Sequence, residues 1–259
     1  MPTAAGLYYF AHEAEVTTRP PVILIHGAGG THLNWPPQVR RLDGQPVLAV
    51  DLPGHGKSDG VSRQVIGEYA ADLLAFMDAL KMRTAILVGH SMGSAIALTL
   101  AIQSPKRVLG LGLLGSGLRL AVSPSLLQSA ADPSTFLSAV QWVTEYSYSP
   151  QADPRLMELG EKRMAEIRPP VLYGDFLACD GFDASAADLS RIHAPTLILV
   201  GEQDKMTPPR LSRALNEQIP RSRLVTLPDT GHMLMLEQPD LVTTHLTEFF
   251  HSIPYQIGQ

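Results

Sequence analysis

The chain alternates between two patterns of apolar positions. Short uninterrupted apolar runs, Val22 to Ile25, Val47 to Val50, Ala85 to Val88, Val108 to Leu114 and Thr196 to Val200, read as buried strands, with Leu224 to Leu227 a sixth. Between most of them apolar residues recur at helical spacing. Tyr69, Leu73, Phe76, Met77 and Leu80 do so within Glu68 to Leu80, and a second such pattern runs from Leu211 to Ile219. Strands buried on both sides and separated by amphipathic helices predict an α/β fold, a mostly parallel sheet with helices on both faces.

One stretch breaks the alternation. From Leu118 to Ile192 no strand is legible. Helix-like pieces at Pro133 to Glu145, Pro154 to Ile167 and Pro169 to Cys179 replace it, with six of the chain's aromatics among them: Phe136, Trp142, Tyr146, Tyr148, Tyr173 and Phe176. This predicts a helical cap, residues 118–190, inserted into a core made of 1–117 and 191–259. Tyr146 and Tyr148 are expected to be partly exposed. Ahead of the first parallel strand there is room for one strand, Leu7 to His12, which leaves the edge of the sheet in question.

In an open parallel sheet, ligands bind beyond the carboxyl ends of the strands. The segments that follow the strands are HGAGG (His26 to Gly30), DLPGHGKS (Asp51 to Ser58), GHSMG (Gly89 to Gly93), GSG (Gly115 to Gly117), GEQD (Gly201 to Asp204) and PDTGH (Pro228 to His232). A serine, an aspartate and a histidine thus fall on one edge. GHSMG is the most informative of these. A strand passes there directly into a helix carrying Met92, Ala95, Ile96, Leu98, Thr99 and Ile102, a turn so tight that glycines two before and two after Ser91 remove side chains that would collide. A serine at such a tip lies at a helix N-terminus, where developing negative charge is favoured.

Two loops imitate nucleotide sites and fail. Gly56-Lys57-Ser58 would need a glycine at 51, where Asp51 stands, and Gly27-Ala28-Gly29 would need one at 32, where His32 stands. The nine histidines show no metal-ligand spacing, so neither a metal nor another cofactor is expected. The single cysteine, Cys179, excludes an internal disulfide and is expected to be a small buried hydrophobe.

A net charge of -5 without runs of like charge argues against nucleic acid or an anionic membrane as partner and suits small uncharged or weakly polar substrates. The N-terminal stretch lacks a basic region, and the longest apolar stretch, VLGLGLLGSGLRLAV, is too short to span a bilayer. A cytoplasmic protein is expected.

Nucleophilic catalysis by serine needs a base and a group that orients the base. Ser91, His232 and Asp204 can fill these roles. Asp229 is the rival acid, but only Asp204 follows a strand in a G-x-x-D loop. The order Ser, Asp, His, with the serine on a strand-to-helix elbow, resembles the α/β-hydrolase family, and the resemblance extends over HGAGG, DLPGHGKS, GHSMGS, PTLILVGEQD and TGHMLMLEQP.

That resemblance implies Ser91 as nucleophile, His232 as general base and acid, Asp204 as orienting carboxylate, and the backbone N–H groups of Ala28 and Met92 as oxyanion hole. It implies a carboxylesterase-like serine hydrolase. Carbon-carbon bond hydrolysis, lactonase or thioesterase activity, or a ligand receptor that does not turn over, are the alternatives. Trp142, Tyr146, Phe176, Met206 and Met233 are the expected substrate-binding residues, and an uncharged acyl ester the expected substrate.

Overall fold

The computed structural model describes residues 2–13, 15 and 18–255. Eight strands among these residues form one sheet in the order β1-β2-β4-β3-β5-β6-β7-β8. They are β1 (Thr3–Ala4), β2 (Leu7–His12), β3 (Val22–Ile25), β4 (Val47–Val50), β5 (Ala85–His90), β6 (Val108–Leu114), β7 (Thr196–Gly201) and β8 (Ser222–Leu227). From β4 to β8 every pairing is parallel, while β2 runs antiparallel to β4 and β1 antiparallel to β2.

The edge differs from the single strand that the sequence suggests. Ala5 and Gly6, both at positive φ, fold Thr3–Ala4 back onto β2, so a hairpin with a two-residue first strand is present. Two residues are too few to show as a strand in the pattern.

Among the described residues ten α-helices accompany the sheet: α1 (Pro37–Arg40), α2 (Ile66–Ala79), α3 (Met92–Gln103), α4 (Pro124–Ala131), α5 (Phe136–Ser147), α6 (Pro154–Ala165), α7 (Pro169–Asp180), α8 (Pro209–Gln218), α9 (Leu234–Glu237) and α10 (Pro239–Ser252). The alternation of side chains along each strand divides the core in two. Ile23, Ile25, Leu48 and Leu87 point into one layer with Tyr69, Leu73 and Phe76 of α2, Ile96 of α3 and Leu215 of α8. Leu24, Val47, Ile86 and Val88 point into the other with Trp35, Val39 of α1, and Val242, Leu246 and Phe249 of α10.

The four helices α4 to α7 stand between β6 and β7 in sequence. They have a small core of their own, in which Leu126, Phe136, Val140, Leu172 and Phe176 meet. α4 has no counterpart in the helical patterns read from the sequence. Ser123 caps it by accepting a hydrogen bond from the Leu126 amide.

β3 has β4 on one side and β5 on the other, so the chain reverses direction across the sheet there. The loops after β3 and β5 therefore open a crevice at the carboxyl edge, which is where an open α/β sheet receives ligands.

Candidate active site

Ser91 sits between β5 and α3 with φ 52° and ψ -115°, a left-handed conformation that a non-glycine residue rarely adopts. The strain is imposed by packing on both sides. A Cβ on Gly89 would strike the backbone of Gly93 and Ser94, and one on Gly93 would strike the carbonyl of Ile25 on β3. The Ser91 amide is tied to the Leu114 carbonyl oxygen at 2.8 Å, and the Ser94 hydroxyl bonds the carbonyls of Gly89 and Leu114 at 2.8 and 2.9 Å. The elbow is thus locked, and the serine side chain stands clear of it.

Asp204, from the loop after β7, is 3% exposed. Its Oδ2 faces His232 Nδ1 at 2.9 Å and accepts from the Thr207 hydroxyl at 2.8 Å, while Oδ1 accepts from the Thr207 amide at 2.7 Å. Burial alone would raise the carboxyl pKa, but the His232 charge and the bonds from His232 and Thr207 outweigh it and hold the pKa below the ordinary carboxylate value. A carboxylate at Nδ1 fixes the tautomer with Nε2 free to take a proton. No hydrogen bond from Ser91 Oγ to His232 Nε2 is formed among the described residues, and the two side chains face one cavity.

The imidazole rests on backbone. A Cβ on Gly115 would lie 3.0 Å from His232 Cε1 and Nδ1, so the glycine after β6 makes room for the ring. His90 donates from Nε2 to the His232 carbonyl oxygen at 2.9 Å, and burial, then the nearby His232, push its pKa down to about 3.

The loop after β3 is held with equal definition. The Leu52 amide donates to His26 Nε2 at 3.0 Å, so the proton of His26 is on Nδ1, which donates to the Gly27 carbonyl oxygen at 2.8 Å. Burial and the neighbouring His55 lower the His26 pKa to about 4, which keeps the ring in this one-donor, one-acceptor state. The Gly30 amide also donates to the Gly27 oxygen, at 3.0 Å. In a trans peptide C=O and N–H point opposite ways, so fixing the Gly27 oxygen fixes the Ala28 N–H in the other direction. Ala28 lines the cavity. Met92 opens α3, so its N–H has no partner within the helix.

The cavity has a volume of about 250 Å³ and lies between this loop cluster and the inserted helices. Its walls include Trp142, Phe176, Met206 and Met233. Tyr146 is different. It is 40% exposed, does not line the cavity, and stacks on Trp142 with ring centroids 4.1 Å apart. The two residues are one helical turn apart on α5, and the tryptophan covers the inner position. Tyr148 is buried rather than partly exposed, its ring against Gly160, and burial pushes its hydroxyl pKa up to about 12. Met92 is core and contributes only backbone. Cys179 is buried and touches the cavity wall, with its thiol pKa pushed up by burial.

Sequence reasoning overlooked several residues. Thr207 could have been found, since a threonine three residues after a loop aspartate is a common partner for its carboxylate. Asn34 and Ser147 enter the cavity from elements with no motif, and exposed Lys205 reaches its edge, with Nζ 6.0 Å from the Tyr146 ring. Among the described residues one group of potential metal ligands occurs, His12, Glu13 and Asp43. His12 pairs with Val47 at the amino end of β4, so this group lies at the opposite edge of the sheet from the cavity.

A family model described as the alpha/beta hydrolase fold matches residues 20–239. The chain belongs to this family. Among relatives, the dihydrolipoyllysine-residue acetyltransferase component of the acetoin cleaving system of Pseudomonas putida is 31% identical over 246 residues, 88% of this chain. The chain spans only 63% of that relative's length. The pimeloyl-[acyl-carrier protein] methyl ester esterase of Neisseria meningitidis serogroup B is 28% identical over 241 residues, covering 88% of this chain and 92% of the other. A solved thermophilic esterase is 30% identical with a TM-score of 0.81, over 95% of this hydrolase and 93% of that chain. Among the described residues of this alpha/beta hydrolase, no helix is long and apolar enough to cross a membrane.

Proposed function

We propose that this hydrolase cleaves carboxylic esters of small uncharged acyl substrates through an acyl-enzyme on Ser91. The observation that carries the reading is the joining of four segments far apart in sequence. The strained Ser91 elbow, a buried Asp204–His232 pair and the Ala28 loop meet at one mostly apolar cavity. Two of its relatives are esterases, which supports the same reading.

In the proposed reaction His232 Nε2 takes the Ser91 hydroxyl proton as Oγ attacks the ester carbonyl carbon. The carbonyl oxygen becomes an oxyanion that accepts from the Ala28 and Met92 amides. Such donors, aimed in advance at developing charge, are the largest single contribution in reactions of this type. The carbon–oxygen bond to the alcohol then breaks, and the alcohol leaves with the proton from His232. Water enters, gives a proton to His232 and attacks the acyl carbon, and Ser91 leaves with that proton as the acid is released. Asp204 keeps His232 in the required tautomer and balances its transient charge.

The cavity's size and apolar walls suit short to medium acyl groups, with Trp142, Phe176, Met206 and Met233 as contacts. Lys205 at the rim is exposed, and its charge remains solvated there.

The test is hydrolysis of p-nitrophenyl acetate by wild type and Ser91→Ala, with mass-spectrometric mapping of a fluorophosphonate adduct. Ser91→Ala is expected to lose all but about one part in 10³ or less of kcat, and the adduct to fall on Ser91. A mutant retaining a tenth of the activity, or an adduct on Ser58 or Ser116, refutes the assignment. A wild type that binds esters without turnover refutes the enzyme reading itself.

A further inference from the structure

Asp175 lies on α7 of the helical insertion and is completely buried, yet it has no place in the chemistry above. Its carboxylate receives three donors from three separate elements. Oδ2 accepts from the Gly29 amide at 2.8 Å and from His55 Nε2 at 2.7 Å, and Oδ1 accepts from the Tyr69 hydroxyl of α2. His55 Nδ1 faces the Pro53 carbonyl oxygen at 3.0 Å, which can only accept, so the ring is a donor at both nitrogens. Burying a carboxylate is costly unless every lone pair is used. A general fastening of the insertion to the core could be built from apolar contacts, which Ala178 and Cys179 on the same helix already supply against the layer of α2 and α3.

The donor that distinguishes this arrangement is Gly29, 146 residues away and next to Ala28. The Gly27–Ala28 peptide is held from the sheet side through the Gly27 oxygen, by His26 and by the Gly30 amide. On the insertion side the polar anchor is the bond from Gly29 to Asp175. Apolar contact reinforces it, since a Cβ on Gly29 would lie 2.8 Å from Leu172 Cδ1.

We propose that Asp175 is a positioning residue for the oxyanion hole. It fixes the Ala28–Gly29 peptide so that the Ala28 N–H is presented to the cavity, and it makes that donor's geometry depend on how α7 is seated. The proposal rests on the reading of Ser91 as nucleophile and Ala28 as oxyanion donor.

The test separates donor geometry from general stability. Asp175→Asn keeps the shape: its oxygen stays toward Gly29 and His55, and its amino group meets the Tyr69 hydroxyl, which can turn to accept, so the Gly29 bond loses its charge but keeps its acceptor. Asp175→Ser is a second variant, small enough for water to reach those donors. Each is assayed for kcat, KM, Tm and the inhibition constant of an alkyl boronic acid, which adds to the serine and places an oxygen in the hole.

Removing one donor of this kind costs about 10²–10³ in kcat, so the donor displaced in Asp175→Ser is expected to cost at least tenfold in kcat and in boronate affinity, with KM changed less than about threefold, while Asp175→Asn, which keeps the Gly29 bond, loses less than about threefold. Tyr69→Phe removes a partner that does not touch the loop. It is expected to lower Tm and leave kcat within about twofold. If folded Asp175→Ser keeps kcat and boronate affinity within about threefold of wild type, or Asp175→Asn loses tenfold or more, the Gly29 bond does not set the donor's geometry and the proposal is overturned. Loss of kcat matched by an equal loss in Tyr69→Phe overturns it as well. Failure of the nucleophile reading would show separately, as boronate and fluorophosphonate failing to react at Ser91 in the wild type.

Discussion

Replacing Asp204 by asparagine tests the site at the point where its geometry is best determined. The carboxylate is met by three hydrogen-bonding groups, and they differ in what they can do. The Thr207 amide at 2.7 Å from Oδ1 only donates, whereas the Thr207 hydroxyl can rotate to accept, and His232 Nδ1 can be donor or acceptor according to tautomer. An asparagine must therefore place its oxygen toward the Thr207 amide, because an amino group there would oppose an N–H that cannot turn. The amino group then occupies the Oδ2 position and donates to His232 Nδ1. That forces the imidazole proton onto Nε2, the atom that has to accept the serine proton.

Packing is unchanged, so the variant should fold. Its kcat should fall by about 10⁴, equivalent to about 5 kcal/mol of barrier, by comparison with the same substitution in a serine protease triad. Asp229→Asn is the control. Asp229 is exposed at φ 50°, a conformation that asparagine accepts readily, so kcat should stay within about threefold. Steady-state hydrolysis of p-nitrophenyl acetate by both variants decides. An Asp204→Asn loss of less than about tenfold, or a larger loss from Asp229→Asn, would falsify the tautomer argument.

Three further outcomes follow from the structure. Gly93→Ala drives a Cβ into the Ile25 carbonyl of β3 and should cost more than about 4 kcal/mol, seen as a Tm fall of roughly 10 °C or as insoluble protein; a Tm within a few degrees of wild type refutes the close approach. His26 and His90, lowered to about 4 and about 3, stay neutral in the fold and become charged in the unfolded chain below pH 6.5. Their contribution is therefore complete above pH 6.5 and is lost as pH falls toward those values, by up to about 1.4 kcal/mol per pH unit each, whereas that of His55, whose pKa is raised, is present below 6.5 and lost only on the alkaline side. Urea midpoints at pH 7 and pH 5 should differ accordingly and the difference should shrink in His90→Gln; equal midpoints in the wild type refute it. Trp142→Ala should shift the preference among p-nitrophenyl acetate, butyrate and octanoate toward the longer acyl chains by at least tenfold, and an unchanged profile would show that the insertion does not select substrate.

What could be read from the sequence and what could not divide along a physical line. Parallel strands buried on both faces are continuous apolar runs, so β3 to β7 are visible as such, and each run marks where a loop at the binding edge begins. The elbow is visible because steric collision dictates glycine at fixed offsets from Ser91, a constraint local to five residues. That Tyr146 stands outside the cavity is not legible, because periodicity puts residues 142 and 146 on one face of α5 without saying which ring covers the other. Asp175 is harder still. Nothing within α7 distinguishes it from an aspartate on a solvent-facing turn, because its partners, Gly29, His55 and Tyr69, come from three elements that only the completed fold brings together. Steric requirements of a turn are written next to the residue that needs them, whereas the satisfaction of a buried charge is distributed over the chain. The chemistry-bearing serine is therefore legible early, and the groups that hold its oxyanion loop are legible only when the sheet and its helical layer are seen in contact.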